Sequence, residues 1–215
     1  MILLGPPGVG KGTQGVVLAQ ALGARHVATG DLLRTARRDG TELGRKAQGY
    51  MDRGALVPDP LIVDLVREVL ATLAPTQGVV FDGFPRTVRQ AEALGTALAD
   101  VGRKVDAVLA LEADDEVLVK RLAGRRSCPQ CQAVYNVHFT PPKRDGVCDK
   151  CGAALVHRPD DEPGTVRRRL EVYRKETAPL IEFYEQGRAP VRRIDADRPV
   201  DEVQGSIRGA TIGAQ

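Results

Sequence analysis

The stretch GPPGVGKGT at 5–13 constrains this chain more than any other. It follows the apolar run MILL at 1–4 and opens the helical pattern TQGVVLAQAL at 13–22, and strand, turn and helix in that order are what a Gly-x4-Gly-Lys motif requires. Its glycines let backbone N–H groups turn towards a phosphate chain, the helix start adds partial positive charge, and Lys11 brings a full charge to the β and γ phosphates. The strict motif has Ser or Thr directly after the lysine. Here Gly12 intervenes and the hydroxyl belongs to Thr13, which displaces it from the usual Mg²⁺-holding position.

The rest of the chain repeats the alternation. RHVA at 25–28, GVVFD at 78–82, VDAVLAL at 105–111 and VRRID at 191–195 read as further buried strands. Helical patterns separate them: LIVDLVREVLATL, VRQAEALGTALAD, DEVLVKRLAG and, late in the chain, TVRRRLEVYRKETAPLIEFYEQ. Alternating strands and helices predict an α/β fold with a parallel sheet, whose ligands bind at the carboxyl ends of the strands. Residues 29–58, helical without a strand, and residues 124–161, rich in Pro, Gly, Cys and charge, break the rhythm and read as insertions on one core.

A second basic site is expected beside the first. TGDLLR contains Thr29, Asp31 and Arg34, the last two sharing a helical face. DGFPRT places Asp82, Gly83 and Arg86 at the end of the third strand, and Gln90 follows Arg86 by four residues. Further arginines cluster around the second insertion: Arg121 and Arg125 are spaced i,i+4 at its start, Arg158 stands at its far end and Arg169 follows on a helix; of the run RRR at 167–169 only part can face inwards.

The four cysteines follow the pattern C-x2-C-x16-C-x2-C, with Cys128, Cys131, Cys148 and Cys151, a zinc spacing. Two disulfides are disfavoured in a reducing compartment, and a redox CxxC is expected after a first strand. An insertion this short cannot bury a self-sufficient core, whereas a structural Zn²⁺ contributes on the order of 10–16 kcal/mol against roughly 2–4 for a disulfide. Four thiolates leave no open position for water, so the metal is structural, and His138 is not needed as a ligand.

Charge and hydropathy exclude other classes. A net charge of +3 in 215 residues does not mark a nucleic-acid binder, and no apolar run is long enough to span a membrane. MILLGPPGVGKGTQ has neither a basic leader nor a cleavage site, so a cytoplasmic location is expected. No apolar heptad asks for a partner, so a monomer is expected.

Taken together, GPPGVGKGTQ, TGDLLR, DGFPRT, GRR and TVRRRL, in this order over essentially the whole chain, resemble adenylate kinase within the nucleoside monophosphate kinases. The resemblance implies a P-loop three-layer sandwich with a five-stranded parallel sheet. Residues 1–28, 59–123 and 162–215 would form the core, 29–58 an AMP-binding insertion and 124–161 a zinc-binding lid. Gly8, Val9, Gly10, Lys11, Gly12 and Thr13 would hold the ATP phosphates. Arg121, Val134 and Tyr135 would lie at the ATP base with Arg198 near it, and Arg125 would touch ATP phosphate. Thr29, Arg34, Ala55, Leu56, Val57, Gly83, Phe84, Pro85, Arg86 and Gln90 would hold AMP, and Arg158 and Arg169 would reach the phosphates between the nucleotides. Lys11, Arg86, Arg125, Arg158 and Arg169 would be the catalytic set, and Asp82 and Asp31 would orient Mg²⁺ through waters. The implied reaction is MgATP plus AMP giving two ADP, and some members lack the cysteines, so zinc is not part of it. A kinase for GMP, UMP or CMP, or a nucleotide sensor without turnover, would share parts of this pattern.

Overall fold

The computed structural model describes residues 1–212. Its centre is a five-stranded parallel sheet in the order β2-β3-β1-β4-β7, built from β1 (Ile2–Leu4), β2 (Arg25–Ala28), β3 (Val79–Asp82), β4 (Val108–Glu112) and β7 (Val191–Asp195). The inner strands β1, β3 and β4 are short apolar runs largely buried on both faces, as a sheet covered by helices on both sides demands, whereas the edges are more open: Arg25 and His26 of β2 are half-buried and Arg192 and Arg193 of β7 are exposed. Alternation divides the strand residues between two cores: Ile2, Leu4, Phe81 and Val108 pack on one face, and Leu3, Val80, Leu109 and Leu111 on the other. Leu109 is fully buried, and burial of such a side chain contributes about 1.5–3 kcal/mol.

The helices α1 (Lys11–Ala21), α4 (Asp59–Ala71), α5 (Val88–Ala99), α6 (Asp115–Ala123), α7 (Pro163–Val172), α8 (Pro179–Glu185) and α9 (Val200–Ile212) carry the two outer layers. Gly15 lets α1 lie against the sheet, since a Cβ there would fall 2.6 Å from His26 Nε2 and 3.0 Å from Leu3 Cδ1. β4 begins at Val108, later than the expected 105, because the sheet ladder reaches the lead-in only at Ala107, whose carbonyl accepts from Ile2 N at 3.0 Å.

Residues 29–58 hold α2 (Thr29–Arg38) and α3 (Glu42–Asp52), with Thr41 capping α3 through its hydroxyl, which accepts from Gly44 N. Residues 124–161 hold the antiparallel pair β5 (Arg125–Ser127) and β6 (Val134–Asn136). In that segment Cys128 and Cys148 are the sole buried apolar residues, whereas Val134, Val137, Phe139 and Val156 are exposed. The segment lies over α2: Gln132 Nε2 donates to Thr35 Oγ1 at 2.5 Å and Arg38 Nη1 to the Gln130 carbonyl at 3.3 Å.

Candidate active site

β1 and β3 are neighbours, with Leu3 opposite Asp82, so the two glycine-bearing turns after them meet at one carboxyl edge of the sheet. In the first turn Gly8 and Gly10 have φ of 86° and 103°, which only glycine adopts without strain. Gly10 caps α1 with no side-chain hydrogen bond, so the first-turn N–H groups of that helix have no side-chain acceptor and form an anion-binding end. Lys11 Nζ folds back over the turn and donates to the carbonyls of Gly5 and Pro6 at 2.7 and 2.9 Å. Burial pushes this ammonium down to about 8; Asp82 opposes that, and Arg86, Arg169 and Arg125 add to it. Thr13 and Gly12 are exposed, and a Cβ on Gly12 would stand 3.4 Å from Asp82 Oδ2, an ordinary contact that places this carboxylate beside the turn. Burial alone would raise the Asp82 carboxyl, but His26, Lys11 and Arg86 outweigh it and hold it below the usual carboxylate range.

In the second turn, Gly83 has φ of 72° and would bring a Cβ 2.9 Å from Arg86 Nη2. Its carbonyl accepts from Thr29 Oγ1 and from Arg86 Nε, both at 2.8 Å. Phe84 is buried, and the bond from it to Pro85 is cis. Burial, and Arg169 after it, lowers Arg86 to about 10. Its own carbonyl accepts from Thr177 Oγ1 at 2.8 Å, and Thr177 belongs to a π-helical turn, Tyr173–Thr177, that joins α7 to α8. Sequence periodicity runs smoothly through that turn and gave no sign of it.

The remaining arginines converge from residues 124–161 and α7. Arg158 is 8% exposed, and its Nε donates to Ser127 Oγ at 2.6 Å. Burial, followed by Arg125 and Arg34, lowers it to about 9. Arg125 and Arg169 are both held by Asp161, which accepts from Arg125 Nε at 2.7 Å and from Arg169 Nη1 at 3.1 Å, and Asp160 Oδ2 lies 3.0 Å from Arg169 Nη1. Burial would raise Asp160, yet Arg169, Arg125, Arg34 and Arg158 hold it below the usual carboxylate range. Sequence reasoning missed both aspartates. The available signal was the acidic run Asp160, Asp161 and Glu162, which follows Arg158 after one proline and precedes the arginines at 167–169. Among the described residues Lys11, Arg86 and Arg158 make no ion pair. Arg158 is buried and Lys11 and Arg86 are half-buried, and cations withdrawn from water without a counter-charge are costly to the fold and complementary to a polyanion.

Asp31 and Arg34 pair on α2 as expected from their spacing. Ala55, Leu56 and Val57 line a cleft of about 600 Å³ together with Asp59 and Thr87. Gln90, 1% exposed, follows the Thr87 cap of α5; its Oε1 accepts from Arg86 N at 2.8 Å and its Nε2 donates to Asp59 Oδ1 at 2.7 Å.

Arg121 and Arg125 do not share a helical face. α6 ends at Ala123, so Arg121 stays on the helix and Arg125 starts β5. The Arg121 carbonyl accepts from Asn136 Nδ2 at 2.8 Å, which ties it to the strand carrying Val134 and Tyr135. Arg198 is exposed and paired with Asp195 at 2.8 Å. Arg167 and Arg168 are exposed and Arg169 is half-buried; Arg169 meets Asp160 and Asp161, and Arg168 lines the cleft that holds residues 55–57.

The four cysteines are free thiols whose Sγ atoms lie within 4.8 Å of one another, with two contacts of 3.4 and 3.5 Å. A tetrahedron with metal–sulfur bonds of about 2.3 Å has sulfurs about 3.8 Å apart, so the group is compatible with one metal. Burial opposes ionisation at Cys148, but hydrogen bonds from Tyr135 and from the backbone of Lys150 and Cys151 outweigh it and lower this thiol. At Cys151 a hydrogen bond from the Ala153 backbone is outweighed by hydrogen bonds with Cys128, Cys131 and Cys148, with burial, which raise it, so the four sulfurs share their protons as one group.

The chain matches the protein family described as "Adenylate kinase" over residues 3–189. It is 49% identical over 210 residues to "Adenylate kinase" of Geobacter sp. (strain M21), covering 98% of each chain. It is 47% identical over 215 residues to "Adenylate kinase" of Exiguobacterium sibiricum, covering all of this chain and 99% of the other. It is 49% identical over 212 residues to "Adenylate kinase" of Caldicellulosiruptor saccharolyticus, covering 99% of each.

Proposed function

The chain belongs to the adenylate kinase family, a family of phosphotransferases, and from that premise we propose that it catalyses MgATP plus AMP to two ADP, reversibly, through the residues gathered at the sheet edge. The observation that carries this reading is a set of cations at the sheet edge, half-buried Lys11 and Arg86 and buried Arg158, that make no ion pair among the described residues. The attacking oxygen belongs to the AMP phosphate, which is already ionised. It forms a bond to the γ phosphorus as the bond from that phosphorus to the β-bridging oxygen breaks, and no proton need move. Catalysis then consists of holding two polyanions in line and stabilising the charge between them. Lys11 and the α1 amides hold the ATP phosphates. Arg86, Arg158 and Arg169 face the charge that spreads between donor and acceptor, and Arg125, fixed by Asp161, covers the ATP side. Thr29, Arg34, residues 55–57 and Gln90 take AMP; Arg121, Val134, Tyr135 and Arg198 take the ATP base.

Mg²⁺ bound with ATP supplies charge neutralisation across the β and γ phosphates. Asp82, kept anionic beside Gly12, and Asp31 fit it as acceptors of its waters. Residues 29–58 act as the AMP-binding arm and 124–161 as the lid. A Zn²⁺ in the four thiolates takes the place of a lid core, since Cys128 and Cys148 are its only buried apolar residues. Free thiols at all four cysteines suit a reducing cytoplasm, and the enzyme acts as a single chain on ATP, AMP and ADP rather than on nucleic acid. Among the described residues no helix is long and apolar enough to cross a membrane.

A coupled assay for ADP, offering ATP with AMP, GMP, UMP and CMP in turn, tests the assignment. AMP is expected to give the highest kcat/KM, and a higher value with another monophosphate would replace adenine as the acceptor base.

A further inference from the structure

Asp59, the first residue of α4, has no place among the nucleotide contacts assigned above, yet it is tied to one of them. Its Oδ1 accepts from Gln90 Nε2 at 2.7 Å and its Oδ2 from Thr87 Oγ1 at 3.2 Å, while Gln90 Oε1 accepts from Arg86 N at 2.8 Å. A carboxylate can only accept and a backbone N–H can only donate, so these two neighbours permit one orientation of the Gln90 amide and forbid its flip. The Thr87 hydroxyl cannot relax this lock. It donates to Asp59 and accepts from Gln90 N at 3.1 Å. One N–H and one carbonyl lone pair of Gln90 are left over, beside the cleft that Asp59 and Thr87 line with residues 55–57.

We infer that Asp59 is a specificity-positioning residue: by locking the Gln90 amide it makes the AMP site accept a 6-amino purine and reject a 6-oxo purine. The inference rests on the proposed reading that Gln90 faces the AMP base. At positions 6 and 1 adenine offers a donor and then an acceptor; a 6-oxo purine offers an acceptor and then a donor. An amide that meets the first pair meets the second only after rotating by half a turn. With Asp59 ionised, rotation would set Gln90 Oε1 against a carboxylate and Gln90 Nε2 against the Arg86 N–H, replacing two hydrogen bonds by two repulsive contacts.

The test measures kcat/KM for AMP and for IMP, which has the 6-oxo, N1–H pattern without a 2-amino group, in wild type, Asp59→Asn and Gln90→Ala. Asn at 59 is nearly the same shape. Its carbonyl still accepts from Gln90, and its amide can instead donate to a rotated Gln90. The expected result is a fall of about tenfold or more in the AMP-to-IMP ratio of Asp59→Asn, with its melting temperature close to wild type. A ratio unchanged within about twofold overturns the inference, and so does a loss of AMP turnover with the ratio kept, because that marks a support for α4 and nothing more. Gln90→Ala separates the two levels: if it leaves the AMP KM unchanged, Gln90 does not face the base and the reading of the AMP site fails instead.

Discussion

Lys11 carries the residue-scale argument. Its ammonium is held by two carbonyls of its own turn and surrounded by three arginines, so burial and like charge bring it down to about 8, against 10.5 for a free lysine. Two consequences follow from the sign. Between pH 8 and 10.5 the unfolded chain keeps a proton that the folded chain has released; the burial penalty is therefore complete below pH 8 and fades across that window. Phosphates beside Lys11 favour its charged form, so ATP binding near pH 8.5 is expected to take up a proton. Calorimetry in two buffers of different ionisation enthalpy reads this directly. Lys11→Met is expected to remove most of the uptake, leaving the smaller share that Arg158 supplies, and to lower kcat by about 10³-fold or more, with the fold retained. Equal heats in the two buffers for wild type would remove the link between this lysine and the phosphates. The sequence made Lys11 and the glycines legible because motif and strand–helix context agreed. Asp160 and Asp161 were not legible, since charged residues in a charged stretch read as a solvated face until packing shows what they hold, and Asp59, between two prolines, read as part of a turn.

At the scale of elements, the strands were readable as short apolar runs, and the boundaries that shifted did so where the ladder, rather than hydropathy, decides. The end of α6 is the clearest case. Spacing joined Arg121 to Arg125, but the helix stops before Gly124, whose Cβ would fall 2.8 Å from Asn136 Oδ1 and His138 Cδ2. The proposed AMP arm docks on α7 through Gly54, where φ is 69° and a Cβ would stand 2.9 Å from Arg169 Cγ. Gly54→Ala is expected to destabilise the protein by about 1–2 kcal/mol and to raise the AMP KM by moving Arg169, as thermal melting and steady-state kinetics would show. In the proposed lid, Cys128→Ser removes one of four thiolates. Zinc content is expected to fall from about one per chain, and the lid to melt below the core, with part of the ADP formation kept in the cold. Metal analysis paired with activity over a temperature series checks this; a metal-free variant that melts like wild type would contradict the structural role.

The whole molecule is arranged so that one edge of a parallel sheet receives charge from three directions: the two glycine turns, residues 124–161 and α7. The contact of Gln132 with Thr35 shows the 124–161 segment resting on α2, which closes that edge from above. This arrangement was legible only in outline. Insertions could be seen as breaks in the strand–helix rhythm, but nothing in the order of residues tells that Gln132 and Thr35 stand near each other. Closure of this kind excludes water as an acceptor and makes the acceptor nucleotide part of the site. The most direct test of the account is therefore the stoichiometry of ADP formed from ATP with and without AMP. The account predicts two ADP per ATP consumed when AMP is present, and a rate at least about a hundredfold lower with ATP alone. One ADP per ATP, at a similar rate whether or not AMP is added, would make water the acceptor and contradict the account.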